Sequence, residues 1–142
     1  MTKRIVVGVD GSDHGNAALH WAVDEAKAHT AEIIAVFAWQ MPLIGIPGAF
    51  DREEMEKLCM KFLEETVAAV VPAPQAPITR LVAHGDVSAS LIEAAKNADA
   101  DMLVLGSRGR GGFAGLKLGS VSSECVQHAA CPVVIIKQPG DT

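Results

Sequence analysis

The chain has few cysteines, no long apolar run, and no acidic residue in its richest glycine stretch. Each absence excludes a class of protein. Three cysteines, Cys59, Cys125 and Cys131, in 142 residues form neither an even disulfide framework nor a metal-ligand spacing. They are expected to be reduced, mostly buried thiols in a cytoplasmic protein. No uninterrupted apolar run approaches the roughly 18 residues of a membrane span, so no membrane association is expected. Lys3 and Arg4 precede an apolar stretch, but Asp10 ends it and no small-residue cleavage site follows, which argues against a secretory signal. The formal net charge of −5 argues against a nucleic-acid partner. No Walker A run exists, because Lys117 is followed by Leu118 rather than by Ser or Thr. Gly109 to Ala114 does fit G-x-G-x-x-A, but it lies ahead of the next helix rather than opening it, which disfavours a dinucleotide site. His20, His29, His84 and His128 show no paired ligand spacing. No set of nucleophile, base and orienting group emerges, so no catalytic residue is expected.

What is present is a soluble-domain composition, 49% apolar and 20% charged, in a length that suits one domain over residues 1–142. Arg4 to Val9 is a β-branched run of the kind buried on both faces of a parallel sheet. Asp10-Gly11-Ser12 is turn chemistry, with Ser12 as the expected N-cap of a helix and Asp13 favourable in its first turn. Glu32 to Ala38 reads as a second strand. The connection from Trp39 to Phe50 contains two prolines and two glycines. It is read either as a loop folded over its own sheet or as a flap or partner surface. Asp51 to Val71 is the clearest helix, with Met55, Leu58, Cys59, Phe62, Leu63 and Thr66 assigned to its buried face. Pro72 to Pro77 forms a stiff connector. Ile78 to His84 is a more polar strand, expected near an edge. A short helix follows, with Ser88 as its expected cap and Leu91, Ile92, Ala94 and Ala95 inward. Met102 to Leu105 is a fourth strand, Ser120 to Ala129 a fourth helix, and Pro132 to Lys137 a last strand. Strict alternation of strands and helices predicts a mostly parallel sheet with helices on both faces.

The stretch from Met102 to Ser123 concentrates the chemistry. A buried strand runs into a glycine-rich loop, and the loop runs into a helix N-terminus, an arrangement that presents backbone N–H groups to phosphate. The segment carries Arg108, Arg110 and Lys117 and no acid, in a chain that is acidic overall. Such a local excess of cations suits an anionic ligand.

Gly106, Gly109, Gly119 and Ser120 spell G-x2-G-x9-G-S, which resembles the ATP-binding signature of the universal stress protein family. RIVVGVDGS near the start and HAACPVVIIK near the end are similar to that family's first and last strands. The resemblance implies an open, doubly wound α/β fold with a five-stranded parallel sheet in the order 3-2-1-4-5. That order places the Asp10 turn opposite the glycine loop at the topological switch point. It further implies ATP as ligand and a nucleotide-dependent stress-response module that pairs as a homodimer through Val133 to Ile136. Gly8, Val9 and Asp10 match first-strand contacts, and Val36 or a neighbour matches the backbone contact to adenine. Gly106, Ser107, Arg108, Gly109, Arg110, Gly111, Gly119, Ser120, Val121 and Ser122 form the expected phosphate side. Gly106 is expected to admit ligand beside the backbone, Gly109 to make a positive-φ turn, and Gly119 and Ser120 to offer free N–H groups. Arg108 and Arg110 either cover phosphate or stay solvated. Asp10 either shapes its turn, receives a ribose hydroxyl, or helps hold Mg or Mn near the phosphates. His14 lies near the crevice. Slow ATP hydrolysis or phosphoryl transfer through Asp10, Asp13 and His14, and binding of cyclic AMP instead of ATP, stand as alternatives.

Overall fold

A computed structural model of the chain describes residues 2–40, 51–73, 76–109 and 118–138. Arg110, Gly111, most of the 39–50 connection and part of the 72–77 connector lie outside the described residues. The elements follow in strict alternation: β1 (Lys3–Gly8), α1 (Asp13–His29), β2 (Ala31–Trp39), α2 (Arg52–Val70), β3 (Ile78–His84), α3 (Val87–Asn97), β4 (Met102–Gly106), α4 (Ser120–His128) and β5 (Val133–Ile136). The five strands form one sheet in the order β3-β2-β1-β4-β5, and every pairing is parallel. The fold class and strand order are those expected.

The apolar runs explain the layers. β1 is central, and its Ile5, Val6 and Val7 are all essentially buried. Successive side chains leave a strand on opposite faces. Ile5 and Val7 therefore join a core with Leu19, Ala22, Leu63 and Val67 beneath α1 and α2. Val6 joins Leu91, Ala95, Leu103 and Cys125 beneath α3 and α4. Fully burying each such aliphatic side chain contributes about 1.5–3 kcal/mol, so both faces of the sheet are tied to the same central strand.

α2 corrects one expectation. Its buried residues are Cys59, Leu63 and Val67, while Leu58 is 62% exposed. This helix packs on β3, β2 and α1 near the edge of the sheet, so the stripe it buries is narrower than the sequence pattern. The N-cap of α3 is a second correction. Asp86 caps it by accepting from Ala89 N at 3.0 Å, and Ser88 Oγ donates to the same carboxylate at 2.9 Å.

The N-terminal ends of β1 and β4 are locked by polar contacts. Arg4 N donates to Asp101 Oδ2 at 2.9 Å, Arg4 Nε meets Glu32 Oε1 at 2.8 Å, and a guanidinium nitrogen donates to the Ala98 carbonyl at 3.0 Å. The opposite, carboxyl ends of the strands hold the crevice.

Candidate functional site: a crevice at the switch point

β1 and β4 are neighbours whose following connections run to opposite faces of the sheet, which opens a crevice beyond their carboxyl ends. A cavity of about 470 Å³ occupies it. Of the residues singled out from sequence, Gly8, Val9, Asp10 and Val36 line one side. Gly106, Arg108 and Gly109 line the other, with Gly119, Ser120, Val121 and Ser122 at the start of α4. Two loops distant in sequence are thus brought together.

The phosphate side is built around an uncapped helix. Gly119 is the N-cap of α4, in extended backbone (φ −71°, ψ 164°), with no side-chain hydrogen bond to the helix end. The first helical bond there runs from Ser123 N to the Gly119 carbonyl at 2.9 Å. The amides of Ser120, Val121 and Ser122 precede that bond and meet no acceptor among the described residues, as first-turn amides do without a cap. Three donors at the positive end of a helix dipole form an anion cradle. The expectation of a free N–H at Gly119 is corrected, since that amide donates to the Ser107 carbonyl at 2.8 Å. Ser107 is 1% exposed and its own amide donates to the Ile136 carbonyl at 2.9 Å. It does not line the cavity; it ties the loop to β5. The Ser122 hydroxyl is likewise committed, donating to the Gly106 carbonyl at 2.7 Å.

Gly106 has a task beyond the one expected, and Gly109 a different one. A Cβ at Gly106 would lie 2.6 Å from the His14 carbonyl carbon and 2.7 Å from its oxygen. Gly106 therefore lets the main chain of α1 approach β4, besides opening on the cavity. Gly109 is not among the positive-φ residues, whereas Gly11 (φ 79°) and Gly85 (φ 136°) are. What Gly109 provides is room: a Cβ there would sit 2.7 Å from Asp10 Oδ2. Gly15 plays the matching part on α1, where a Cβ would press on Asp10 Oδ1. The Asp10 carboxylate thus stands between two glycines, and Oδ1 accepts from Ser12 N at 2.9 Å and from Ser12 Oγ at 2.5 Å. Ser12 Oγ in turn accepts from Gly15 N at 3.0 Å, capping α1 as expected.

On the slot side both Val36 and Ala38 of β2 line the cavity, and they differ in what their main chains have left to offer. The Val36 carbonyl already accepts from Val9 N at 2.8 Å, so Val36 offers a side chain to the cavity rather than that main-chain acceptor. The Trp39 carbonyl turns the other way and accepts from Gly85 N at 2.8 Å. Main-chain groups alternate sides along a strand, so Ala38 faces the β1 side, where the register has ended at Gly8 opposite Val36. Its N–H and C=O meet no partner among the described residues and border the cavity. Val87, Leu91 and Leu105 complete an apolar slot, suited to a flat ring that reads one donor and one acceptor on Ala38. The signal for Ala38 lay in where β1 stops, which is a tertiary fact.

His14 has its Nε2 3.2 Å from an Arg108 guanidinium nitrogen. The other histidines stand apart from the crevice: His20, His29 and His128 pair with acids one turn away on their own helices, and His84 packs edge-on against Trp39. Cys125 is on the buried face of α4, and its thiol is pushed up to about 11, chiefly by burial. The Ala89 amide and then the Ser88 hydroxyl hold the Asp86 carboxyl below its ordinary value. Among the described residues no group of three or more His, Cys, Asp or Glu is placed to hold a metal ion. Asp10 is the one carboxylate among the described residues that line the cavity.

Fold and site together define a doubly wound α/β protein with an amide cradle and an apolar slot at its switch point. The chain belongs to the universal stress protein family, whose family model matches residues 1–137. A Mycobacterium tuberculosis universal stress protein is 33% identical over 94% of this chain and 45% of its own length. The chain thus spans about half the length of the mycobacterial relatives it matches. A Thermus aquaticus universal stress protein is 33% identical over 96% of this chain and 100% of its own. A universal stress protein solved in complex with cAMP has a TM-score of 0.69 and 25% identity, covering 96% of this chain and 97% of that one. No described helix is long and apolar enough to cross a membrane.

Proposed function

We propose that the chain binds an adenine nucleotide, ATP in the first instance, and works as a nucleotide-dependent regulatory module rather than as an efficient enzyme. The observation that carries this reading is the run of three unsatisfied amides at the start of α4, facing an apolar slot across one cavity. A charge at a helix end contributes at most about 2 kcal/mol, whereas micromolar binding requires about 8 kcal/mol. Three charge-assisted hydrogen bonds of roughly 1.5–3 kcal/mol each, with burial of the base, supply the difference. Asp10 would hold Mg or Mn against the phosphates, and the cation would offset the repulsion between carboxylate and polyphosphate. Any ATP hydrolysis is expected to be slow.

Cyclic AMP is the second reading, favoured by the relative solved with that ligand. The two ligands share the base slot and differ in the phosphate they bring to the cradle, so competition separates them. β5 is an edge strand, and pairing of two copies through Val133 to Ile136 would cover its open main-chain groups. The cytoplasm is the compartment that suits three free thiols. The test is a thermal shift with millimolar ATP, ADP and cyclic AMP, together with mass spectrometry of any co-purifying small molecule. ATP is expected to raise the melting temperature and to displace cyclic AMP. No shift with any adenine nucleotide would overturn the reading.

A further inference from the structure

We infer that His14 is a positioning residue that holds Arg108 at the phosphate end of the cavity and thereby sets a preference for polyphosphate over monophosphate. This rests on the nucleotide reading above and adds to it a residue that touches neither the base slot nor the cradle amides. Three observations lead to it. First, the main chain of His14 is fixed: it lies against Gly106 so closely that no Cβ fits between them. The imidazole therefore starts from a rigid point where α1 meets β4. Second, His14 Nε2 lies 3.2 Å from an Arg108 guanidinium nitrogen. A guanidinium has five N–H donors and no acceptor, so the ring must accept, which requires a neutral imidazole with its Nε2 lone pair turned to the arginine. Third, the contact lies at the end of the crevice away from the base. The slot is formed by Val36 and Ala38 of β2 with Val87 and Leu91 of α3 and Leu105 on the face of β4, whereas Arg108 lies past the end of β4 beside Gly109 and Gly119. β1 separates β2 from β4 in the sheet.

Arginine is a long side chain with many rotamers, and its grip on phosphate improves when one orientation is set in advance. Arg108 stands between buried Ser107 and exposed Gly109, where backbone alone does not fix its direction. The histidine, anchored where α1 meets β4, does so at 3.2 Å. A nucleotide whose phosphates reach past the first would meet an oriented guanidinium, and a monophosphate would gain less from it.

Calorimetric titration of ATP and AMP into the wild type, His14→Ala, His14→Gln, Arg108→Ala and the double variant tests this. His14→Ala is expected to lower ATP affinity by about tenfold, the order of one oriented charge-assisted hydrogen bond, and AMP affinity by much less. His14→Gln, whose amide oxygen can also accept from arginine, should restore most of the loss. The double variant should bind ATP no more weakly than Arg108→Ala alone. Equal losses for ATP and AMP would make His14 merely structural and overturn the inference. So would additive losses in the double variant, or an unchanged ATP-to-AMP ratio. If the wild type binds neither nucleotide, the functional reading itself fails, and that result is distinct from the others.

Discussion

The N-termini of α1 and α4 both border the crevice, and they are finished in opposite ways. α1 begins at Ser12, whose hydroxyl accepts from Gly15 N and is itself braced by Asp10. α4 begins at Gly119, which has no side chain to offer. α2 and α3 follow the first pattern, with Asp51 and Asp86 as caps. A capping residue typically contributes about 1 kcal/mol relative to alanine. At α4 the first-turn amides are instead left without a cap where Ser120, Val121 and Ser122 line the cavity. The difference separates a helix end that serves the fold from one available to a ligand.

The contrast can be broken at its hinge. Gly106 is where the capped helix touches the strand that feeds the open one. Gly106→Ala would drive a Cβ into the His14 main chain, and overpacking against backbone should cost about 3 kcal/mol of stability, read as a lowered urea midpoint. A variant as stable as the wild type would show that α1 does not need this close approach. Gly119→Asp sharpens the contrast by giving α4 the cap it lacks. The backbone there already suits a cap residue, and a Cβ would meet nothing closer than 3.5 Å. Stability should rise by a few tenths of a kcal/mol, while ATP affinity should fall by roughly thirtyfold, because a carboxylate would compete for the amides and repel phosphate. Opposite signs in the two measurements are the expected signature, and a parallel fall in both would argue for simple damage. Ser12→Ala does the reverse at α1. It should lower stability by about 1 kcal/mol, with a change in nucleotide affinity smaller than that of Gly119→Asp.

Much of this was legible in the sequence, and the exceptions share a cause. The apolar runs of β1, β2 and β4 and the strict alternation of elements pointed to a mostly parallel sheet covered on both faces, because a strand buried on both faces leaves no ambiguous side. The strand order came from the family resemblance. Ser12 was identifiable as a cap from local chemistry alone. At α3 two acceptable caps stand two residues apart, and which one reaches the helix depends on the exact turn, so Asp86 was passed over for Ser88. Gly106 and Gly109 were recognisable as glycines that matter, yet their tasks depend on what sits opposite them, the His14 main chain and the Asp10 carboxylate. Val36 or a neighbour was as far as β2 could be read, because the open main-chain groups of Ala38 exist only through the early end of the neighbouring strand. Leu58 was assigned to the core because helical spacing cannot tell how far a sheet extends beneath a helix. Local chemistry was readable, and anything set by a partner across the fold was not.

The central claim is that the first-turn amides of α4 receive the phosphates of an adenine nucleotide. Titrating ATP into isotopically labelled protein and following backbone amide resonances tests it most directly. Saturable shifts at Ser120, Val121 and Ser122, larger than those at the capped start of α1, are the predicted result. Unmoved resonances at those three amides in the presence of millimolar ATP would contradict it.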